Sequence, residues 1–359
     1  MSSVNGNEAG IPVIDISSPS PDVAKEILHA VAKYGFVFVK NHEVGIPPED
    51  IQGMFDLSRD FFSSPSEVKA ECSIHSSKSG KNRGWLSMHT ETLDPAHQKR
   101  GDFKEAFNIG EFVNGKADQP LPGPLAAEES RIANFANQCH NLCNKLLHLF
   151  ASALEIPSTE GGEDWFSLRH DRTKGPSGSV LRLLYYPSIP NPPDLNDIRA
   201  GAHSDYGSLT LLFQLPSQPG LEILTHDSTW APVPVNPSPS TLATPPILVN
   251  IGDLLSYWTN GLLKSTVHRV IFPKPEPGVE SQDRYSIAYF CHPLDEARLV
   301  PVPSKVVEGL RSVEGEGQKI KVGYGGGAGG VDEVLTAKDH LNRRLAATYG
   351  LKEEEPAAA

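Results

Sequence analysis

His203 and Asp205 stand two residues apart beside an apolar run, and His268 follows Asp205 by sixty-three residues inside STVHRVIF. On an extended chain residues i and i+2 leave the same face, so one strand can present His203 and Asp205 together. Val267 and Val270 give the His268 segment the β-branched character of a second strand. Two imidazoles and one carboxylate on one side of a metal leave half of its coordination sphere open. Fe(II) held in this way can take up oxygen and an organic ligand together. The same side chains can hold Zn²⁺ with water in the open position, as a hydrolase would.

Context favours iron. Arg284 and Ser286 in DRYSIAYF are again two residues apart and share a face. A guanidinium fork matches a carboxylate bidentately and the hydroxyl adds a donor, which suits a small dicarboxylate held end-on near the metal. A zinc hydrolase has no use for that pair. The plainer reading of Arg284 is a surface or cross-strand ion pair.

The order HSDYGSLTLLFQ, VNIGDLLSYWTNGLLKSTVHRV and RYSIAYF closely resembles the 2-oxoglutarate and Fe(II)-dependent dioxygenases of the isopenicillin N synthase-like group. IPVIDIS, GFVFVKNHEVG, DFKEAFNIG and LRLLYYP extend the match upstream, so it runs collinearly over residues 11–290. The resemblance implies a double-stranded β-helix, or jelly roll, with a helical N-terminal region and a C-terminal helix. It implies Fe(II) on His203, Asp205 and His268, and 2-oxoglutarate as cosubstrate with its far carboxylate on Arg284 and Ser286. Ascorbate is a further cofactor on the same ground. Tyr186 matches a position that donates its hydroxyl to the cosubstrate, with Arg182 as a basic neighbour, whereas Leu184 stands where relatives often carry Asn. Arg83, Trp85, Phe103 and Phe290 fall where the family lines its substrate pocket, and Lys104 beside Phe103 belongs to the family's Asp-x-Lys-Glu element. The implied reaction oxidises a small organic molecule, in the family's usual range a specialised metabolite, by hydroxylation, desaturation or ring closure, with release of succinate and CO₂. Two alternatives stay open: an Fe(II) oxidase of the isopenicillin N synthase or aminocyclopropane carboxylate oxidase type that dispenses with 2-oxoglutarate, and a non-catalytic small-ligand binding protein.

The 359 residues are 38% hydrophobic, enough for a core, and carry a net charge of -12. That balance argues against a nucleic-acid partner, which needs clustered Lys and Arg. The polar start MSSVNGNEAG is not a signal peptide and no run is long enough for a membrane span, so a cytoplasmic setting is expected. Cys72, Cys139, Cys143 and Cys291 form no CxxC pair.

Around the motifs the patterning predicts a strand over 11–16, helices over 21–34 and 47–63, a loop over 73–83, and a long helix over 128–154 that packs on a sheet. His140 and His148 in that helix are read as structural. Short strands punctuated by Pro and Gly fill 178–290. A glycine-rich linker over 314–330, an amphipathic helix over 331–349 and a disordered EEEPAAA tail close the chain. The expected organisation is an N-terminal region (1–175) packed on the barrel, a jelly-roll core (176–300) and a C-terminal linker, helix and tail (301–359), all in one structural unit.

Overall fold

Strand β1 (Val13–Ile14) leads into helix α1 (Pro21–Tyr34), which starts where Ser20 accepts the Val23 amide at 3.3 Å and Pro21 supplies its pre-set φ. Gly35 ends the helix at φ 71°, its amide returning to the Val31 carbonyl. A Cβ at Gly35 would fall 2.1 Å from Thr266 Oγ1 and 2.5 Å from the Lys264 carbonyl oxygen, so this turn is pressed against the segment leading to His268. Gly35→Ala should therefore cost roughly 2 kcal/mol or more, from left-handed strain plus the displaced loop. A melting temperature equal to wild type would refute that contact.

The computed structural model describes residues 9–41, 45–189, 198–242, 244–272, 282–308 and 334–349. The expected linker at 314–330 and the EEEPAAA tail lie outside the described residues. After β2 (Phe36–Val39) come α2 (Pro48–Ser63), α3 (Ser66–Ala70), β3 (Gly84–Leu86), β4 (Glu105–Ile109), the short pair β5 (Phe112–Val113) and β6 (Lys116–Ala117), α4 (Gly123–Ala126) and α5 (Glu129–Ala153). The second half supplies β7 (Val180–Tyr186), β8 (Ala200–His203), β9 (Leu209–Gln214), β10 (Leu221–Leu224), β11 (Trp230–Pro232), β12 (Ile247–Ile251), α6 (Asp253–Trp258), β13 (His268–Val270), β14 (Arg284–Cys291) and α7 (Ala337–Tyr349).

A large sheet in the order β1-β2-β12-β9-β14-β7-β4-β3 faces a smaller one in the order β11-β10-β13-β8. Four of its eight strands come from the first 109 residues, so the N-terminal region helps build the sheet that backs the site. The period of two decides what each face does. Ile287, Tyr289 and Cys291 of β14 join an outer core with Ile27, Phe55 and Leu146 of the helices, whereas Ala288 joins an inner core with Leu221 and Val270 of the small sheet. Leu181 and Leu183 of β7 likewise point outward, and Leu184 and Tyr186 inward. α5 buries Cys139, Cys143, Leu146 and Phe150 at three- and four-residue steps against this outer face.

Three elements differ from the sequence reading. The first strand is only Val13–Ile14, since β2 pairs with just these two residues. DLLSYW forms α6 within the strand-rich half, burying Leu254, Leu255 and Trp258. The last helix begins only after Thr336, because Thr336 and Asp339 cap it reciprocally: the Thr336 amide meets Asp339 Oδ2 at 2.9 Å and the Asp339 amide meets Thr336 Oγ1 at 3.2 Å. Val334 is consequently exposed rather than part of the helix face.

Candidate metal centre

β8 ends on His203 and β13 begins on His268, and antiparallel pairing sets these two residues opposite each other, their rings 4.3 Å apart. Asp205 stands just past the end of β8, with Oδ1 3.8 Å from His203 Nε2 and 3.7 Å from His268 Nε2. The outer nitrogens are engaged: His203 Nδ1 meets the Gly201 carbonyl at 2.7 Å and His268 Nδ1 the Thr266 carbonyl at 3.1 Å. A carbonyl only accepts, so Nδ1 carries the proton and Nε2 turns its lone pair toward the shared point. Asp205 Oδ2 accepts from Thr210 Oγ1 at 2.6 Å and from Asn250 Nδ2 at 2.7 Å, which leaves Oδ1 for the same point.

Three ligand atoms thus converge within 4.8 Å of one another, the one such group among the described residues. Burial, and then His268 beside it, hold His203 below the ordinary imidazole range, so its lone pair is free at neutral pH. Burial pushes the Asp205 carboxyl up, but the two imidazoles and the two hydrogen bonds outweigh it and keep the group below the usual carboxylate range. Two imidazole nitrogens with their lone pairs turned inward and a carboxylate are the donors a divalent ion needs. Because Asn250 only orients Asp205, Asn250→Leu should weaken Fe(II) binding by roughly 10- to 100-fold. Competition against a chromophoric chelator measures this, and an unchanged affinity would mean that the hydrogen bond orients nothing.

The triad opens into a cavity of about 120 Å³ between the two sheets. Across it, on β14, Arg284 is 1% exposed and lies over the Tyr186 ring at 5.0 Å. Its nitrogens donate to the Gln218 carbonyl at 3.2 Å, to Ser286 Oγ at 3.2 Å and to Gln214 Oε1 at 3.0 Å. All of these partners are neutral, and among the described residues no carboxylate pairs with Arg284. Burial accordingly pushes its guanidinium below the ordinary value.

Residues 177–293 match the family model of the 2OG-Fe(II) oxygenase superfamily, and residues 11–130 match that of the non-haem dioxygenase in morphine synthesis N-terminal region. The UPF0676 protein C1494.01 of Schizosaccharomyces pombe is 38% identical over 348 residues, covering 95% of this chain and 93% of the relative. The 2-oxoglutarate-dependent dioxygenase htyE of Aspergillus rugulosus is 30% identical over 344 residues, 90% of this chain and 93% of that protein. The chain belongs to the 2OG-Fe(II) oxygenase superfamily. It is an enzyme of the 2-oxoglutarate-dependent dioxygenase type, using iron and 2-oxoglutarate to oxidise a small organic molecule. Its backbone superposes on that of a full-length Neurospora crassa protein crystallised in complex with alpha-KG and thymine, with a TM-score of 0.72 at 29% identity, covering 94% of this chain and 97% of that one. The oxidase that dispenses with 2-oxoglutarate and the non-catalytic binding protein are not favoured by these likenesses.

In this oxygenase Tyr186, Phe290 and Arg182 line the cavity together with the triad, Arg284 and Ser286. Arg182, however, is bound to Glu91 Oε2 at 2.9 Å, so its charge is already answered. Arg83, Trp85 and Phe103 are not among the lining residues. Trp85 pairs across β3 and β4 with Phe107, whose parity is outward, and donates its indole N–H to Glu105 Oε2 at 2.8 Å. Arg83 reaches Asp118 at 3.3 Å, and Phe103 packs edge-on against His89 and Phe272. Their neighbours face inward instead: Leu86 joins the inner core and Lys104 lines the cavity.

Sequence reasoning passed over Glu91, Asn108, Tyr206, His292 and Tyr349, which also line the cavity. Parity could have found two of them, since His292 lies two residues beyond Phe290 and Asn108 two beyond Ala106. Nothing local marked Glu91 or Tyr349. His140 is hydrogen-bonded to the Tyr289 hydroxyl at 3.3 Å and His148 lies 3.4 Å from Asp164, both away from the cavity.

Proposed function

We propose that His203, Asp205 and His268 hold the ferrous ion and that Arg284 and Ser286 receive the far carboxylate of 2-oxoglutarate, with Tyr186 beside them. One observation carries this reading: a guanidinium buried in the cavity that bears the triad, with only neutral partners among the described residues. Burying a cation without an opposing charge costs several kcal/mol, which a carboxylate ligand relieves. The bound iron and 2-oxoglutarate supply the oxidising chemistry, with dioxygen consumed and succinate and CO₂ released. The chain's share is placement. Arg284 and Ser286 fix one end of the cosubstrate, Leu184, Leu212 and Ala288 of the inner face keep water from its length, and Phe290 offers a ring to the substrate. Leu184, where relatives often carry Asn, provides no amide, so the hold on the cosubstrate rests on the β14 pair.

A cytoplasmic setting is part of the proposal, supported by four buried cysteines that are all free thiols. Oxygen uptake by the Fe(II)-loaded protein tests the whole. Uptake should require 2-oxoglutarate and match succinate formation one to one. Equal uptake without it would overturn the cosubstrate assignment.

A further inference from the structure

The cavity treats charge differently at its two ends. At the Arg284 end the cation has only neutral partners among the described residues. At the other end the charges of the described lining residues are matched. Glu91, 4% exposed, lies 2.8 Å from Lys104 Nζ and 2.9 Å from an Arg182 guanidinium nitrogen, and accepts the Tyr349 hydroxyl of α7 at 3.2 Å. Lys104 is also paired with Asp102, itself 1% exposed. Two cations thus meet two carboxylates. Burial works against each ion, yet Arg182 and Lys104 hold the Glu91 carboxyl well below its usual range, and Asp102 and Glu91 hold Lys104 up to about 12. Burial pushes the nearby His292 down to about 4, so it too is uncharged at neutral pH.

On the reading proposed above, the remaining charges also cancel: a divalent ion with Asp205, and Arg284, against the two carboxylates of 2-oxoglutarate. Arg199, a like charge that repels Arg284, donates to the Gln282 carbonyl at 2.9 Å and does not line the cavity. A charged substrate would therefore be buried without a counter-charge, whereas a neutral one loses nothing on that account. Asn108, 1% exposed and on the cavity wall, has a side-chain oxygen without a hydrogen-bond partner among the described residues. It can accept from an N–H or O–H of the occupant. Leu341 and Leu345 of α7 add an apolar wall on the same side.

We infer that the substrate of this oxygenase is an uncharged small molecule bearing an N–H or O–H donor, and that Glu91 sets this preference by neutralising Lys104 and Arg182. The inference rests on the cosubstrate assignment, so its test first establishes that assignment. Protein loaded with Mn(II) is titrated calorimetrically with N-oxalylglycine, an unreactive mimic of 2-oxoglutarate. Failure to bind it defeats the underlying reading. The saturated complex is then titrated with matched probes: thymine against 5-carboxyuracil, and benzamide against benzoate and benzamidine. The neutral members should bind at least about tenfold more tightly than their charged partners, the usual effect of an unpaired buried charge. In Glu91→Gln one cation loses its counter-charge, and the ratio should move toward the carboxylates by about tenfold or more. The wild-type comparison stands even if that variant does not fold. If the mimic binds but neutral probes hold no advantage, whether because all bind or because none does, the inference is overturned while the cosubstrate site survives.

Discussion

Arg284→Met should lose 2-oxoglutarate binding by roughly 100- to 1,000-fold, or about 3–4 kcal/mol, without losing stability. The two effects have opposite physical origins. On the proposed assignment the guanidinium answers a carboxylate in a dry pocket, and truncating one partner of such a pair typically costs about 2–5 kcal/mol. In the free protein the same guanidinium is a buried cation held, among the described residues, only by neutral groups: Gln214, the Gln218 carbonyl, Ser286 and Tyr186. Replacing it with an apolar side chain removes a desolvation penalty, so the melting temperature of the free protein should stay level or rise. Arg284→Lys should fall between, since it keeps the charge but not the two-pronged geometry. Calorimetric titration of Mn(II)-loaded protein and a thermal melt read both quantities. Unchanged affinity in the methionine variant would remove Arg284 from the cosubstrate site.

Asp205→Ala should remove the iron. Its carboxylate is the one anionic donor of the triad, and loss of an orienting neighbour alone typically costs roughly 10- to 100-fold in metal affinity, so loss of the ligand itself should exceed about 100-fold. Iron retained per chain after gel filtration should fall to background, and succinate formation with it. Unlike Arg284→Met, this variant should also be less stable before any metal is added. Thr210 Oγ1 and Asn250 Nδ2 are buried and would lose their acceptor, a cost of about 1–3 kcal/mol. A variant that keeps its iron and its turnover would place the metal elsewhere.

Trp85 and His292 show where the sequence stopped being legible. Period-two reading correctly put Arg284 and Ser286 on one face of a strand, because that relation is fixed within a single segment. Whether the face looks into the barrel or out toward the helices is fixed by pairing with a neighbour. Trp85 turns outward because it stands opposite Phe107, and the one-residue shift that would bring it inside would expel Gly84 and Leu86 in exchange. His292 lies just past the end of β14 and went unnoticed because strand character in the sequence ends at Phe290.

The amino-acid sequence alone determined the ligand types, their spacing along two strand segments, and the long helix that packs behind those strands. These are relations between near neighbours, set by backbone periodicity and local hydrogen bonding. Only tertiary structure decided which charges cancel. Glu91 meets Arg182 from 91 residues away and Tyr349 from 258. Coulombic and desolvation energies depend on distance and burial in space, and chain separation encodes neither.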